Sequence, residues 1–211
     1  MKIGIIGAGR IGRTIARYLT RLGHDVIVSN SRGPESLKSL VAELGQKAKA
    51  GTVAEAAAAP VVFLTVIWAQ LPAALAKLPV WKGRIAVDTA NPYVAEMVPG
   101  ARLVKAFNTL FHEVLAAEPR QAGGRRVVFL SGDDATAKAE VSQLIDQMGF
   151  AAVDLGGLVE GGKVQQAGRP ARGSEPRAPD LMLWVLDGVL GWFRSFCSRP
   201  ERPWIHSVRM Q

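Results

Sequence analysis

The chain has 211 residues, a formal net charge of +8, 48% hydrophobic residues, one cysteine and three histidines. This length predicts one domain with an appendage, and the composition is that of a globular protein with a buried core. A lone cysteine, Cys197, excludes an internal disulfide and indicates a reducing, cytoplasmic location, and scattered histidines make a metal site unexpected. Because the basic residues are dispersed, the charge does not indicate a nucleic-acid partner, and neither a signal peptide nor a membrane span is predicted.

Strand and helix patterns alternate from the first residue onward. Residues 2–6 form an apolar strand, residues 10–23 an amphipathic helix and residues 25–30 a second strand. Further strands are expected at residues 47–50, 61–67, 84–88, 102–107, 126–132 and 150–156, and further helices at residues 35–44, 53–59, 71–78, 111–118 and 133–149. This alternation predicts an α/β Rossmann-type, doubly wound, mostly parallel sheet, followed by an irregular or helical C-terminal tail.

The first turn of the chain carries a G-x-G-x-x-G motif between the first strand and the first helix. The motif comprises Gly7, Ala8, Gly9, Arg10, Ile11 and Gly12, which we expect to bind a dinucleotide. In such a loop, Gly7 permits the tight turn, Gly9 lets a pyrophosphate approach the backbone, and Gly12 lets the helix pack closely on the strand. The alternative is a glycine-rich turn without a ligand, which the strand and helix on either side disfavour.

The end of the second strand indicates which dinucleotide the loop would bind. An NAD site usually has an Asp or Glu there for the ribose hydroxyls, but this chain continues into Ser29, Asn30, Ser31 and Arg32. Hydroxyl groups and a guanidinium suit a 2′-phosphate, so the sequence favours NADP(H). The alternative is an ordinary polar turn into a helix that starts at Pro34.

Polar side chains follow several later strands, at the sheet edge where ligands bind in open α/β folds. They are Thr65, Thr89, Asn91, Asn108 and Thr109. Their side chains could fix a nicotinamide carboxamide, although each could instead serve only as a turn or capping residue. No firm catalytic residue is predicted, and the candidates are Asn108 and His112. His112 is the only histidine near this edge, although a helix-surface position is its simpler interpretation. The lack of an obvious base favours hydride exchange between two redox cofactors.

The C-terminal segment differs in composition from the rest. We expect a nucleotide-binding domain over residues 1–166 and an atypical tail over residues 167–211, comprising a Pro/Arg/Gly-rich linker and an apolar Trp-rich stretch. The apolar stretch is short for a membrane span and contains Asp187 and Gly188. An amphipathic helix that docks on its own sheet or on a partner subunit is favoured over membrane association.

Six segments follow one another in order: GIIGAGRIG, SNSRGPESL, VDTANPY, VKAFNTL, FLSGDDATAK and IDQMGFAAVDLGGLVEGGKVQQ. Together they extend from the first residue to about residue 166 and resemble the NADP oxidoreductase, coenzyme F-420-dependent family. The resemblance implies a small Rossmann enzyme that moves a hydride between NADP(H) and a deazaflavin, with a family tendency to dimerise.

By the family pattern, Gly7, Gly9 and Gly12 would bind the pyrophosphate, and residues 29–32 would hold the 2′-phosphate. Thr65 and Val66, together with Asn91 and Pro92, would flank the nicotinamide, and Asn108 would lie near the site of hydride transfer. Ile67 and Trp68 depart from the pattern, which has a proline and a small-residue turn at this point. The tail after residue 166 has no counterpart in the family.

Other functions stay open at this stage. The nearest alternative is reduction of an ordinary flavin, or of ferric iron through one, because eukaryotic metalloreductases resemble this chain in their NADPH domain. A protein that binds NADP(H) as a sensor, without turnover, is a third hypothesis. A β-hydroxyacid or imine dehydrogenase is less favoured, since those enzymes usually need a further helical domain with a catalytic residue.

Overall fold

The computed structural model describes residues 1–90, 94–121 and 124–165. The strands are β1 (Lys2–Ile6), β2 (Asp25–Ser29), β3 (Ala48–Ala50), β4 (Val61–Leu64), β5 (Ile85–Asp88), β6 (Arg102–Ala106), β7 (Arg120–Gln121), β8 (Gly124–Arg125), β9 (Val127–Gly132) and β10 (Ala151–Asp154). The helices are α1 (Arg10–Arg21), α2 (Lys38–Leu44), α3 (Val53–Ala57), α4 (Leu71–Leu75), α5 (His112–Ala116), α6 (Ala135–Gln147) and α7 (Gly161–Gln165).

One eight-stranded sheet organises these elements in the order β10-β9-β6-β5-β4-β1-β2-β3. Strands β1 to β6 run parallel to one another, whereas β9 pairs with β6 in the antiparallel sense and β10 runs parallel to β9. The predicted Rossmann-type, mostly parallel sheet is therefore confirmed. The carboxyl ends of β1, β2, β4, β5 and β6 lie at the same edge, which we call the carboxyl edge.

Successive residues of the central strands point to opposite faces of the sheet, and helices bury both faces. Ile3 and Ile5 of β1 face a cluster that includes Ile15 and Leu19 of α1, and residues of α2, α5 and α6 join this cluster. Ile6 faces the opposite cluster, to which α3 and α4 contribute. This two-sided burial explains why the strands are apolar runs without polar alternation.

The close approach of α1 to β1 depends on two glycines. A Cβ added at Gly12 would stand 2.0 Å from the Gly7 carbonyl oxygen and 2.6 Å from the Thr65 hydroxyl. Gly7 has a φ of +110°, which glycine adopts without strain. The helix can therefore begin directly above the end of β1 only if residue 12 has no side chain.

Several predicted boundaries differ from the structure. The apolar run at residues 61–67 suggested a long strand, but β4 ends at Leu64 because its neighbour β1 turns away at Gly7 and the ladder stops there. Ile67 is consequently exposed. The predicted helix from Asp133 begins at Ala135, and the Asp134 carboxylate caps it by accepting from the Ala137 N–H at 2.7 Å.

Sequence patterns did not indicate the β7–β8 hairpin, the short helix α7 or the reversed direction of β9 and β10. The hairpin and α7 lack the length over which apolar periodicity is informative, and strand direction is decided by pairing between distant segments. Within the described ranges, none of the helices has the length and apolarity that a bilayer crossing requires. The tail predicted for residues 167–211 lies outside the described residues, so the domain boundary stays a prediction.

The Gly12→Ala substitution should destabilise the protein by at least about 2 kcal/mol, because the new methyl group overlaps a backbone carbonyl that cannot easily move. Alanine is the better helix former by up to about 1 kcal/mol, so a net loss would isolate the steric effect. Gly9→Ala is the matched control, since no atom lies within 4 Å of its added Cβ. Urea unfolding of both variants tests this, and equal stabilities would contradict it.

Candidate functional site

The glycine loop leaves an open surface at the start of α1. Gly9 is the N-cap residue and is exposed, and no protein atom lies within 4 Å of the position where its Cβ would stand. Because Gly9 has no side chain, the helix lacks a side-chain cap, so its first N–H groups need another acceptor. A pyrophosphate fits this requirement, since it supplies oxygens that backbone N–H groups can reach directly.

Charge at this helix end also favours an anion. The first turn of α1 contains no acidic residue, and the arginines Arg10 and Arg13 both project from it. Arg13 donates from Nε to the Ala8 carbonyl at 3.0 Å, which fixes the loop. The helix macrodipole and the two guanidinium groups therefore act in the same direction and make the loop electropositive.

Thr65 supports the loop from beneath. Its hydroxyl lies 2.6 Å from the Gly7 carbonyl oxygen and 3.1 Å from that of Ile6, and it can donate to one of them at a time. A Cβ at Gly7 would stand 3.0 Å from Val66 Cγ2, so Val66 also packs beside the loop. The Thr65 hydroxyl is thus engaged with backbone, which makes loop support its observed contact. A nicotinamide contact for Thr65 and Val66 stays a prediction.

The residues after β2 separate into one buried and three accessible positions. The Ser29 side chain is fully buried, and its hydroxyl donates to the Ile5 carbonyl at 3.1 Å. The Asn30 Oδ1 accepts from the Arg32 backbone N–H at 2.9 Å and shapes the turn, while Ser31 and Arg32 are exposed. Ser29 therefore serves the sheet, and the proposed phosphate contacts narrow to Asn30, Ser31 and Arg32.

The Arg32 guanidinium carries an uncompensated charge beside the glycine loop. In the part of the chain that the structure describes, no carboxylate or other side chain pairs with it. The β2 end also lacks the acidic residue that an NAD ribose would require. This combination supplies a cation where the adenosine ribose of a bound dinucleotide would lie.

A buried ion pair joins the ends of β5 and β6. The Lys105 Nζ lies 2.6 Å from Asp88 Oδ2, and the two side chains are 1% and 0% exposed. Lys105 also donates to the Ala90 carbonyl at 2.7 Å, and Asp88 Oδ1 accepts from the Ala90 N–H at 2.8 Å. Burial raises the pKa of Asp88, and the neighbouring Lys105 opposes that rise. The pair fixes the backbone that leads into residues 91–93.

Sequence reasoning quoted both segments but missed this pair. The available signal for this ion pair was a lysine inside the apolar strand β6 and an aspartate at the end of β5. Such positions lie side by side when the two strands are adjacent and parallel. Asn91 and Pro92, which were predicted to flank the nicotinamide, lie outside the described residues.

Asn108 is held by Gln165, a residue that the sequence did not single out. The Asn108 Nδ2 donates to the Gln165 carbonyl at 2.9 Å, and the Gln165 Nε2 donates to Asn108 Oδ1 at 3.2 Å. Gln165 is 2% exposed and is also bonded to the Ser131 hydroxyl. Each end of the Asn108 carboxamide is bonded to Gln165, so Asn108 shapes the carboxyl edge, and a neutral carboxamide is not an acid–base group.

Phe107 shows that the turn before Asn108 is strained. It is fully buried and has a φ of +65°, a region that residues with a side chain seldom occupy. Its ring packs against Phe63 of β4, with 6.0 Å between the ring centroids. Such strain persists only where surrounding packing enforces it, and it is often found near functional sites.

His112 contacts the glycine loop, although the sequence favoured a simple position on the helix surface. Its Nε2 is 2.8 Å from Arg10 Nη1, and its Nδ1 is 2.9 Å from Glu113 Oε2. The structure thus brings the glycine loop, Thr65, Asn108 and His112 to one edge of the sheet. The Arg10–His112 contact was not predicted, since these residues are far apart in sequence.

A concavity of about 460 Å³ opens at the opposite edge of the sheet. Leu103, Leu158, Asp133 and Asp134 are among its lining residues. Arg102 there lies 3.7 Å from Asp134, and the Asp133 carboxylate accepts from the Leu158 N–H. Ligands of open α/β sheets bind at the carboxyl edge, so the glycine-loop surface is the stronger candidate site.

Comparisons with known proteins agree with this geometry. Residues 2–92 match the family model described as NADP oxidoreductase coenzyme F420-dependent. A hypothetical protein, SMa0349, from Sinorhizobium meliloti is 41% identical in its crystal structure, with a TM-score of 0.74 and coverage of 81% of this chain and 92% of that one. A protein of Arthrobacter sp. FB24, provisionally assigned as an F420-dependent NADP-reductase, is 28% identical with a TM-score of 0.68 and coverage of 90% and 95%.

Other relatives are longer than this chain. Metalloreductase STEAP3 of Rattus norvegicus is 32% identical over 179 residues, which cover 78% of this chain and 36% of that protein. The chain therefore spans about a third of the length of the curated relatives it matches. A reductive aminase of Aspergillus terreus in complex with NADPH shares the fold at 21% identity and a TM-score of 0.62, covering 93% of this chain and 63% of that one.

The Lys105→Met substitution should destabilise the protein by about 3–5 kcal/mol, because it leaves the Asp88 carboxyl buried without its cation. The double variant Asp88→Asn, Lys105→Met should recover much of this loss, because neither charge remains. Urea unfolding measures both values.

The same loss should grow as the pH rises from 5 to 8. Without Lys105 the pKa of buried Asp88 rises further, so the folded variant holds a proton that the unfolded chain releases above its ordinary pKa. Stability then falls with increasing pH, since the folded state binds more protons. A deficit that is constant across this range would contradict the assignment.

Proposed function

Because residues 2–92 match the family model described as NADP oxidoreductase coenzyme F420-dependent, we propose that the chain transfers a hydride between NADP(H) and a deazaflavin coenzyme. The observation that carries the cofactor assignment is the start of α1. That helix end is open at Gly9, has no side-chain cap, contains no acid in its first turn and is flanked by two arginines. An anionic pyrophosphate satisfies the free N–H groups of this helix end.

The preference for NADP(H) rests on the exposed turn after β2. Arg32, Ser31 and Asn30 directly follow β2, the strand beside β1 and its glycine loop, and Arg32 has no acidic partner in the described ranges. A carboxylate at this position would repel a 2′-phosphate, whereas a guanidinium can bind it through two hydrogen bonds. These three residues are the proposed 2′-phosphate contacts.

The remaining proposed cofactor contacts are Gly7, Ala8, Gly9, Arg10, Ile11, Gly12, Thr65, Val66, Asn91, Pro92 and Asn108. The loop residues would act mainly through backbone groups. Asn108, with its carboxamide bonded to Gln165, would define the wall of the site near the nicotinamide. A homodimer and a cytoplasmic location stay predictions.

The chemistry proposed for this edge needs positioning more than proton transfer. When bound, NADPH would supply the hydride, and a deazaflavin would accept it together with a proton from solvent, which needs no strong protein base. The residues at the edge agree with this: the Asn108 carboxamide is bonded to Gln165, and Lys105 and Asp88 are buried as a mutual ion pair. The protein's part is then to hold two rings at a short distance and to exclude water.

A second candidate is reduction of an ordinary flavin, or of ferric iron through one. It is supported by the 32% identity to a metalloreductase across 78% of this chain. Both candidates use the same nucleotide site and differ only in the acceptor. Ile67 and Trp68 lie exposed just after β4, and a deazaflavin or an ordinary flavin could stack against these apolar side chains.

Anaerobic mixing of the purified protein with NADPH and either coenzyme F420 or FMN tests the acceptor. The proposal predicts loss of deazaflavin absorbance at a rate that depends on protein concentration, with FMN reduced much more slowly. Gly9→Val serves as the control, since a side chain there would block the pyrophosphate while meeting no protein atom at its Cβ. Rapid bleaching of FMN alone would favour the second candidate, and NADPH binding without bleaching of either would favour a sensor.

The Arg32→Ala substitution should weaken NADPH binding by about 10- to 150-fold, the value of a charge-assisted hydrogen bond of about 1.5–3 kcal/mol. Binding of NADH should change little, because it lacks the 2′-phosphate. Arg21→Ala removes an equally exposed guanidinium from the far end of α1 and is the matched control. Fluorescence titration measures the affinities, and equal losses for the two nucleotides would refute the 2′-phosphate assignment.

A further inference from the structure

A three-residue chain of hydrogen bonds borders the glycine loop on one side. Arg10 is the first residue of α1, and its Nη1 lies 2.8 Å from His112 Nε2, where α5 begins. On the other side of the imidazole, Nδ1 lies 2.9 Å from Glu113 Oε2. The Arg10 side chain is exposed, yet these hydrogen bonds hold it in one orientation.

The donor and acceptor roles in this chain follow from the arginine. A guanidinium can only donate, so in this contact His112 accepts at Nε2 from Arg10. Its proton is then on Nδ1, from which it donates to the Glu113 carboxylate. Glu113 contacts the far nitrogen of the ring and not the guanidinium, so the positive charge of Arg10 has no direct carboxylate partner in this arrangement.

The packing of α5 against α1 fixes the position of this hydrogen-bond chain independently of the Arg10, His112 and Glu113 side chains. The Tyr18 hydroxyl of α1 lies 3.2 Å from the carbonyl oxygens of Leu115 and Ala117, and the Leu115 side chain is fully buried. Helix α5 is therefore anchored alongside α1. Because α5 follows β6, His112 approaches the glycine loop from the side opposite to β2, where the proposed 2′-phosphate contacts lie.

We propose that His112 and Glu113 are positioning residues that hold the Arg10 guanidinium against the nicotinamide-side phosphate of NADP(H). The inference rests on the proposed function. The adenosine end of the cofactor is assigned to the β2 side, so an arginine held on the β6 side faces the other half of the pyrophosphate. Only one guanidinium N–H group is committed to His112, which leaves others for phosphate oxygens.

Pre-orientation explains why such a chain would benefit binding. An exposed arginine samples many rotamers, and ordering it at the moment of binding opposes association. The hydrogen bond to His112 restricts Arg10 before the ligand arrives, and the bond from His112 to Glu113 fixes the ring tautomer and orientation. The loss of His112 should therefore weaken binding less than the loss of Arg10 itself.

Calorimetric titration with two fragments of the cofactor separates the two phosphates. Adenosine 2′,5′-bisphosphate lacks the nicotinamide-side phosphate, and 2′-phospho-ADP-ribose contains it. Arg10→Ala should weaken binding of 2′-phospho-ADP-ribose by about 10- to 100-fold, as expected for a charged hydrogen bond. Its effect on the bisphosphate should stay within about 3-fold, the range expected for a screened, longer-range charge effect. Arg21→Ala should leave both affinities unchanged.

Substitutions of His112 test positioning. His112→Ala should weaken binding of 2′-phospho-ADP-ribose by about 3- to 10-fold, the usual cost of ordering a long side chain. His112→Gln should restore most of the affinity, because its Oε1 can accept from Arg10 at the position of Nε2. His112→Asn places its amide nearer the position of Nδ1 and should behave like alanine, and thermal unfolding of each variant controls for a folding defect.

Failure of the proposed NADP(H) site and failure of the proposed positioning role give different experimental results. If the wild-type protein binds neither fragment, the NADP(H) site itself is refuted, and the role of Arg10 with it. If the wild-type protein binds both, but Arg10→Ala weakens the two equally or His112→Ala leaves the longer fragment unaffected, the positioning role is overturned while the NADP(H) site stands.

Discussion

The arrangement of the site depends on the contact between Gly7 and Gly12. With no side chain at residue 12, α1 approaches so closely that a methyl group would stand 2.0 Å from the Gly7 carbonyl oxygen. The Thr65 hydroxyl reaches that same oxygen from β4 and closes the contact from below. This packing brings the free N–H groups of the helix to the carboxyl edge of the sheet. All the proposed ligand contacts depend on that placement.

Charges at this edge fall into two groups with different consequences. Lys105 and Asp88 neutralise each other inside the protein, so their pairing supports the backbone and adds little to the outward potential. Arg10, Arg13 and Arg32 are exposed and have no carboxylate partner in the parts of the chain described by the structure. The surface around the glycine loop is therefore electropositive, which suits a ligand with several phosphates.

The sequence alone predicted the Rossmann sheet and the glycine loop, because buried strands and an amphipathic helix produce clear local patterns. It could not predict features that depend on contacts between distant segments. Ser29 resembled a phosphate ligand until its burial beneath the loop was seen. The Gln165–Asn108 and Arg10–His112 contacts connect residues more than fifty positions apart, and no local pattern records such a pairing. The reversed strands β9 and β10 escaped for the same reason, since strand direction is decided by pairing.

The most direct test of the account is to locate NADP⁺ on the protein by its effect on backbone amide resonances. Titration of ¹⁵N-labelled protein should shift the amides of Gly9, Arg10 and Ile11 most strongly, together with those of Ser31 and Arg32. Small shifts at Asp133 and Asp134 are expected, because they line the concavity at the opposite edge. Shifts concentrated at those two residues, with the glycine loop unchanged, would contradict the proposed site.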